Sequence, residues 1–332
     1  MIRVIYKLKR LFLISNLLLI IYNSPAQTWV TIPDTLFAKC LKAVVPYAIN
    51  NNGQLNISSS AVLALTSITI NNKNISNLMG IQYFTSLTWL SCYGNQLTSL
   101  PVLPPLLTHL WCGNNALTSL DGLPNTLNYL QCSYNKLSGL PDLPDSLIYL
   151  SCANNMLGSL PPLPNWLITL ECSNNNLSSL PVLPTSIKKL LCDYNQLTIL
   201  PALPNTLRYL FCNNNKLKNL NKLPDSLTTL YCSSNYLTHL PSLPKTLQVL
   251  TCNKNGLTSL PHLPDSMQVL YCVGNNITDL PNLPVNTAFI DVSGNPFTCL
   301  PNYVKALGND TLNYPKCEVG IREYSPINRD KK

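Results

Sequence analysis

Charge is what this chain has least of. Only 11% of its 332 residues are charged, 22 Lys and Arg against 14 Asp and Glu. Arg3, Lys7, Lys9 and Arg10 lie in the first ten residues, so the formal +8 falls to about +4 once they are set aside. The remaining basic residues form no stripe. Lys188, Lys189 and Arg208 make one local spot that reads as a solvated face, so nucleic acid is not an expected partner. Histidine is nearly absent. His109, His239 and His262 stand in unrelated contexts with no acids or nucleophile at a recognisable spacing, which leaves a triad or metal site without support. There is no glycine-rich phosphate loop, and past Ile21 no apolar run approaches the ~20 residues that cross a bilayer. No catalytic residue, metal ligand or cofactor is expected.

What the chain has instead is a twenty-residue unit, recurring eleven times without insertion from Ile81 to Leu300. Residues 201–220, PALPNTLRYLFCNNNKLKNL, show it cleanly. The frame is Leu-x-x-Leu-x-Cys-x-x-Asn-x-Leu-x-x-Leu-Pro-x-Leu-Pro, as in Leu207, Leu210, Cys212, Asn215, Leu217 and Leu220. A fixed period of this length marks stacked units, none of which can close a core alone. Leu210 and Cys212 share one face of a strand because side chains alternate. Leu217, Leu220 and Leu203 are expected to turn the same apolar side inward.

This frame resembles the leucine-rich repeat, and its proline-rich half resembles the short bacterial type of exported proteins and type III effectors. The cysteine column and the start Gln27-Thr-Trp-Val-Thr-Ile-Pro-Asp34 are similar to surface or secreted leucine-rich proteins of Bacteroidota. The expected fold is a leucine-rich-repeat solenoid, with a curved parallel β-sheet on the concave side and an extended, polyproline II-like convex side. A short N-terminal capping helix is expected to close one end. Effectors with this repeat can carry a C-terminal ubiquitin-ligase domain, but the segment after Leu300 is too short for one. Many exported proteins of the resemblance end in a β-sandwich sorting domain, and none is legible here.

The asparagine column is unbroken: Asn95, Asn115, Asn135, Asn155, Asn175, Asn195, Asn215, Asn235, Asn255, Asn275 and Asn295. An amide offers both donor and acceptor to backbone groups stranded in a buried bend, so the role read for these residues is structural. The prolines from Pro104 to Pro284 fix φ and lack a donor, which excludes a regular helix in that half. Pairs such as Asn205-Thr206 and Asp225-Ser226 read as polar turns. Ten of the thirteen cysteines, Cys92 to Cys272, occupy one slot, which Ile70 and Val292 fill in the flanking copies. The slot therefore suits a small apolar group, as a free thiol is. Stacked Cβ atoms ~4.8 Å apart are too far for disulfides, which want about 3.8 Å. A metal ladder is the alternative, without a histidine column to support it.

Residues 1–26 read as a signal peptide, with a basic start, the apolar run Leu11–Ile21, and small residues at Ser24 and Ala26 before a cleavage point at Gln27. The alternative is an uncleaved anchor, and only this leader is expected to meet a membrane. Residues 27–64 form an N-terminal cap. In it Asp34 starts a short helix with Leu36, Phe37, Cys40 and Leu41 as its apolar face, and 50–60 is a loop. The solenoid runs 65–300, its first repeat, Leu65–Ser86, departing from the frame with Lys73 in the asparagine slot. A C-terminal cap follows at 301–318, with a disulfide expected between Cys299 and Cys317, and then a disordered tail at 319–332.

The variable strand positions carry the functional reading. They face out, so the core does not need them. The aromatic ones, Trp89, Trp111, Tyr129, Tyr149, Tyr209, Phe211, Tyr231 and Tyr271, are the candidate binding residues. They are expected in two clusters, near Trp111–Tyr149 and near Tyr209–Tyr231. The plainer alternative is that strands favour aromatic residues. The expected protein is an exported, non-enzymatic recognition protein, secreted or at the cell surface, binding a protein or a glycan on its concave face. An effector-like protein without its catalytic domain and a structural surface spacer are the alternatives.

Overall fold

The computed structural model describes residues 28–302 and Cys317. The expected leader at 1–26 with its cleavage point at Gln27, the tail at 319–332, and the C-terminal cap apart from residues 301, 302 and 317 lie outside the described residues. The chain divides into two compact units, Met1–Leu130 and Gln131–Lys332. In a solenoid each rung touches only its neighbours, so such a division can fall at any rung.

The first unit begins with a cap. Strand β1 (Trp29–Thr31) pairs antiparallel with β2 (Gln54–Asn56), and helix α1 (Thr35–Val44) lies between them in sequence. Asp34 caps α1, with Oδ1 accepting from the backbone N–H of Leu36 and Phe37, both at 2.9 Å. Its Oδ2 accepts from Ser76 N at 2.7 Å, Ser76 Oγ at 2.9 Å and Asn77 N at 3.1 Å, so one carboxylate ties the helix to the first repeat. Burial alone would raise the Asp34 carboxyl, but the hydrogen bonds from Phe37, Ser76 and Asn77 outweigh it and hold it below the usual value.

Two expectations for the cap are corrected. Residues 50–60 are not simply a loop. Asn50 Oδ1 accepts from Asn52 N and Gln54 N, Gly53 takes φ +72°, and this tight turn launches β2, whose Leu55 is fully buried. The inward face of α1 is Phe37, Ala38 and Leu41, while Leu36 is 42% exposed and Cys40 only half-buried. The cap is a two-stranded antiparallel ribbon with a helix in the connection between its strands. Replacing Asp34 with Ala should cost at least the ~1 kcal/mol of a lost N-cap, with more from the Ser76 and Asn77 contacts. The capped carboxylate's contribution is present above its ordinary value near 3.8 and fades as pH falls below that. Urea melts at pH 7 and pH 3 check both points: the gap between the variant and the parent should narrow at the acid end.

Short helix α2 (Ser60–Leu63) leads into the repeats. In the first unit, β3 (Ser67–Thr69), β4 (Trp89–Ser91) and β5 (His109–Trp111) pair in parallel, with Ile68, Leu90 and Leu110 in register. Strand β6 (Tyr129–Gln131) spans the division. The second unit carries β7 (Tyr149–Ser151), β8 (Thr169–Glu171), β9 (Lys189–Leu191), β10 (Tyr209–Phe211), β11 (Thr229–Tyr231), β12 (Val249–Thr251), β13 (Val269–Tyr271) and β14 (Phe289–Asp291), parallel and in sequence order. The fold is a leucine-rich-repeat solenoid. Among the described residues no helix is long and apolar enough to cross a membrane.

Each strand is three residues long because only its middle residue points in. Leu210 is fully buried between Tyr209 and Phe211. Two residues on, Cys212 is buried as well, and its N–H extends the ladder to Tyr231 O at 2.8 Å. The Cys212 thiol donates to the same carbonyl at 3.3 Å. All ten column cysteines are buried thiols rather than disulfides. The proline-rich half carries neither helix nor strand. A turn closes it, with Leu207 N donating to Pro204 O at 3.0 Å. The hydroxyl after it is shared between two carbonyls of the preceding coil, as Thr206 Oγ1 is between Thr185 O at 2.6 Å and Ile187 O at 2.8 Å. Ser186, Thr246 and Ser266 repeat this bridge. Leu203, expected to turn inward, is half-buried, as are Leu143 and Leu163, whereas Leu183, Leu223 and Leu263 are buried.

At the far end Cys299 and Cys317 are joined by a disulfide, and Cys317 N donates to Leu300 O at 2.7 Å.

Candidate ligand-binding face

The asparagine column is a hydrogen-bond ladder. Asn215 Oδ1 accepts from Leu197 N at 3.0 Å, and its Nδ2 reaches Cys192 O at 3.0 Å and Cys212 O at 3.2 Å, so each amide joins its own coil to the one before. A second ladder, not anticipated from sequence, lies beside the strands. Asp193 and Asn213 each accept from the backbone N–H twenty residues on at 2.7 Å, and Asn253 does so at 2.8 Å. Burial raises the Asp193 carboxyl against the pull of its bonds from Asn213. Interchangeable Asn, Asp and Ser residues in that slot were the available signal. These ladders fix the strand spacing and therefore the geometry of what projects outward.

In the first unit the outward residues form an aromatic ladder. His109 stacks between Trp89 and Tyr129, with ring centroids 4.8 Å and 4.5 Å away and planes within 25° and 8°. Trp111, 42% exposed, leans on Trp89 at 5.7 Å. In the second unit Tyr149 OH and Ser151 Oγ both donate to Glu171 Oε2 at 3.0 Å, and Lys189 Nζ lies 3.3 Å from Oε1. Burial first, and the Glu171 charge second, push the Tyr149 hydroxyl up to about 12. Two strands further on, Phe211 and Tyr231 stack at 4.4 Å with planes 8° apart. Tyr209, 43% exposed, projects from the other outward row, and Tyr271 is half-buried.

In the first unit Trp89, His109, Tyr129 and Trp111 group together, and in the second Tyr149 takes part in a polar network centred on Glu171. His109, Glu171 and Lys189 were absent from the candidate residues. Their signal was position: all three occupy outward slots beside aromatic ones, and parallel in-register strands bring equal slots together. Aromatic exposure is not confined to this face. Trp166 is 71% exposed in a slot held by Ser or Thr in most copies, and Tyr134 and Tyr194 sit at turn positions with φ +58° and +53°. What sets the strand face apart is ring stacking and the organised carboxylate.

The chemistry such a surface offers is shape, ring edges and hydrogen-bonding groups. The family model of leucine-rich repeats (2 copies) matches residues 85–125. No curated protein sequence matches the chain. Among solved structures the chain is similar to YopM from Yersinia enterocolitica WA-314, with TM-score 0.72 and 36% identity over 74% of this chain and 55% of that one. It therefore spans about half the length of that protein. It is also similar to YopM of Yersinia pestis, described as a leucine-rich effector protein, with TM-score 0.61 and 30% identity over 82% of this chain and 92% of that one. The functional domain of InlJ from Listeria monocytogenes, described as including a cysteine ladder, matches with TM-score 0.65 and 26% identity over 86% and 68% of the two chains. Leucine-rich-repeat folds are generally binding scaffolds rather than enzymes. The period, the asparagine ladder, the buried cysteine column and these likenesses agree, and this chain belongs to the leucine-rich-repeat family.

Proposed function

We propose that this is an exported, non-enzymatic recognition protein that binds a protein or a glycan across the outward face of its strands. The observation that carries the reading is the stacked, half-exposed aromatic ladder Trp89–His109–Tyr129 in slots the core does not require. Aromatic residues held in place by neighbours lose little freedom on binding, which is why they serve as anchors. The Glu171 network supplies a positioned acceptor on the same kind of slot in the second unit. Export rests on the basic-apolar leader and the small residues at Ser24 and Ala26. A second reading, an effector acting on a host protein, is favoured by the likeness to a leucine-rich effector protein of Yersinia pestis. It uses the same face.

A screen of the folded chain against a glycan array and against surface proteins identifies a ligand. With that ligand, Trp111→Ala and Phe211→Ala should each weaken binding by roughly thirtyfold, about 2 kcal/mol, while melting temperature changes little. The control Asp225→Ala, exposed on the proline-rich side, should leave affinity unchanged. Normal binding by both aromatic variants together with loss in the control would place the site elsewhere.

A further inference from the structure

We propose that His109 Nε2 is the polar contact atom of the first unit's aromatic ladder, accepting a hydrogen bond from a tyrosine hydroxyl of a protein partner. This rests on reading the strand face as the binding surface. The tautomer follows from geometry. Thr108 Oγ1 lies 2.9 Å from Thr88 O, a carbonyl that can only accept, so the single hydroxyl proton points there. The same Oγ1 lies 2.9 Å from His109 Nδ1, so at that contact the ring nitrogen is the donor. A neutral imidazole carries one N–H, which leaves Nε2 with its lone pair. No group among the described residues bonds it. Trp89 and Tyr129 clamp the ring on both faces and fix its direction.

The stacking also selects the kind of partner. With their faces turned on one another, these rings offer mainly edges outward. A sugar stacks on an open ring face, which the ladder's interior does not present. Ring edges carry partial positive charge and attract the π face of another aromatic ring in a T-shaped contact. A tyrosine satisfies both demands, its ring crossing the edges and its hydroxyl reaching Nε2.

The contact is pH-dependent in a defined direction. Burial lowers the His109 pKa below its ordinary 6.5, so the lone pair is intact at neutral pH. The groups packed on the ring are Trp89 from β4 and Tyr129 from β6, and the remaining outward residues of β3 to β5 are Ser67, Thr69, Ser91 and Trp111. None is charged at pH 5 to 8, so acidification acts on His109 itself. A proton on Nε2 turns the acceptor into a donor and repels the hydroxyl.

The test is NMR of the folded chain labelled with ¹⁵N-histidine, with N-acetyltyrosinamide and its O-methyl ether as probes. The unliganded protein should show His109 protonated at Nδ1 and bare at Nε2. N-acetyltyrosinamide at pH 7.5 should shift Nε2 and bind about three- to tenfold more tightly than the O-methyl ether, the worth of one hydrogen bond. The preference should vanish in the unmodified protein once acidification protonates Nε2, as the ¹⁵N shift itself reports, and at pH 7.5 in His109→Phe, which keeps a ring in the stack. A proton found on Nε2, equal binding of the two probes, no binding of either, or a shift caused by maltose alone overturns the proposal. Probe binding mapped instead to Phe211–Tyr231 removes this proposal and leaves the strand face standing. Binding mapped to the proline-rich side removes both.

Discussion

At pH 10 the protein should be largely unfolded, although it is expected to be stable at pH 8. The cause is the cysteine column. Burial, the first cause throughout, pushes the Cys92, Cys152 and Cys272 thiols up to about 12 from an ordinary 9.0 and raises Cys112, Cys172, Cys192, Cys212, Cys232 and Cys252 in the same direction. Below pH 9 folded and unfolded chains both keep these protons, and the column does not make stability depend on pH. Above it the unfolded thiols ionise and the folded ones do not, so stability falls until the folded values are reached near pH 12. Each thiol contributes about 1.4 kcal/mol per pH unit in that window. Nine together give on the order of 10 kcal/mol at pH 10, comparable with the whole stability of an ordinary domain, about 5–15 kcal/mol. Urea midpoints from pH 7 to 11 measure this, beside a variant with valine at all ten column positions, the residue Val292 already places in that slot. The parent should collapse between pH 9 and 10.5 while the valine variant declines gently. A parent curve flat to pH 11 would mean that the column is open to water. The same burial predicts that iodoacetamide at pH 8 leaves the ten thiols unmodified until the chain is denatured.

Asn95→Ala should destabilise the protein by about 4 kcal/mol, roughly twice the effect of Asn215→Ala. Both amides are buried, at 8% and 6% exposure, yet their neighbours differ. When Asn215 is lost, Cys192 O keeps the bond from Asn195 and Cys212 O keeps that from Asn235, so Leu197 N is the main group stranded. When Asn95 is lost, Lys73 N, Ile75 N and Ile70 O lose the bonds they make to it. No asparagine precedes it to take over, because Lys73 holds that slot. Each buried group left unmet costs about 1–3 kcal/mol. Equilibrium urea melts of the two variants decide the matter, and equal losses would show that the first rung is no more exposed to damage than an interior one.

Much of this protein was legible before any coordinates. The period of twenty, the inward Leu210 and Cys212 and the bridging amides follow from local rules repeated in register, and the capping Asp34 and the Cys299–Cys317 pair from local signals at the two ends. A repeat makes its own comparisons: Ile70 and Val292 in the cysteine slot identify that slot as apolar packing without any other sequence. The candidate face was legible as a set of positions, since the core claims alternate residues and leaves the rest outward.

What tertiary structure decided is how those outward residues meet. Sequence places Tyr149 and Glu171 in outward slots of neighbouring copies, but ring stacking and hydrogen bonding compete for each side chain. Tyr149 goes to Glu171 because a carboxylate twenty-two residues on lies within 3.0 Å of its hydroxyl. His109 is drawn into a stack whose planes are set by Trp89 and Tyr129. Likewise β2 exists because antiparallel pairing with β1 satisfies backbone groups that a polar composition at 50–60 does not reveal. Column membership is a property of one chain position, so the sequence determines it. Orientation of a side chain within its column depends on which neighbour binds it best, and that is decided only when the coils are stacked.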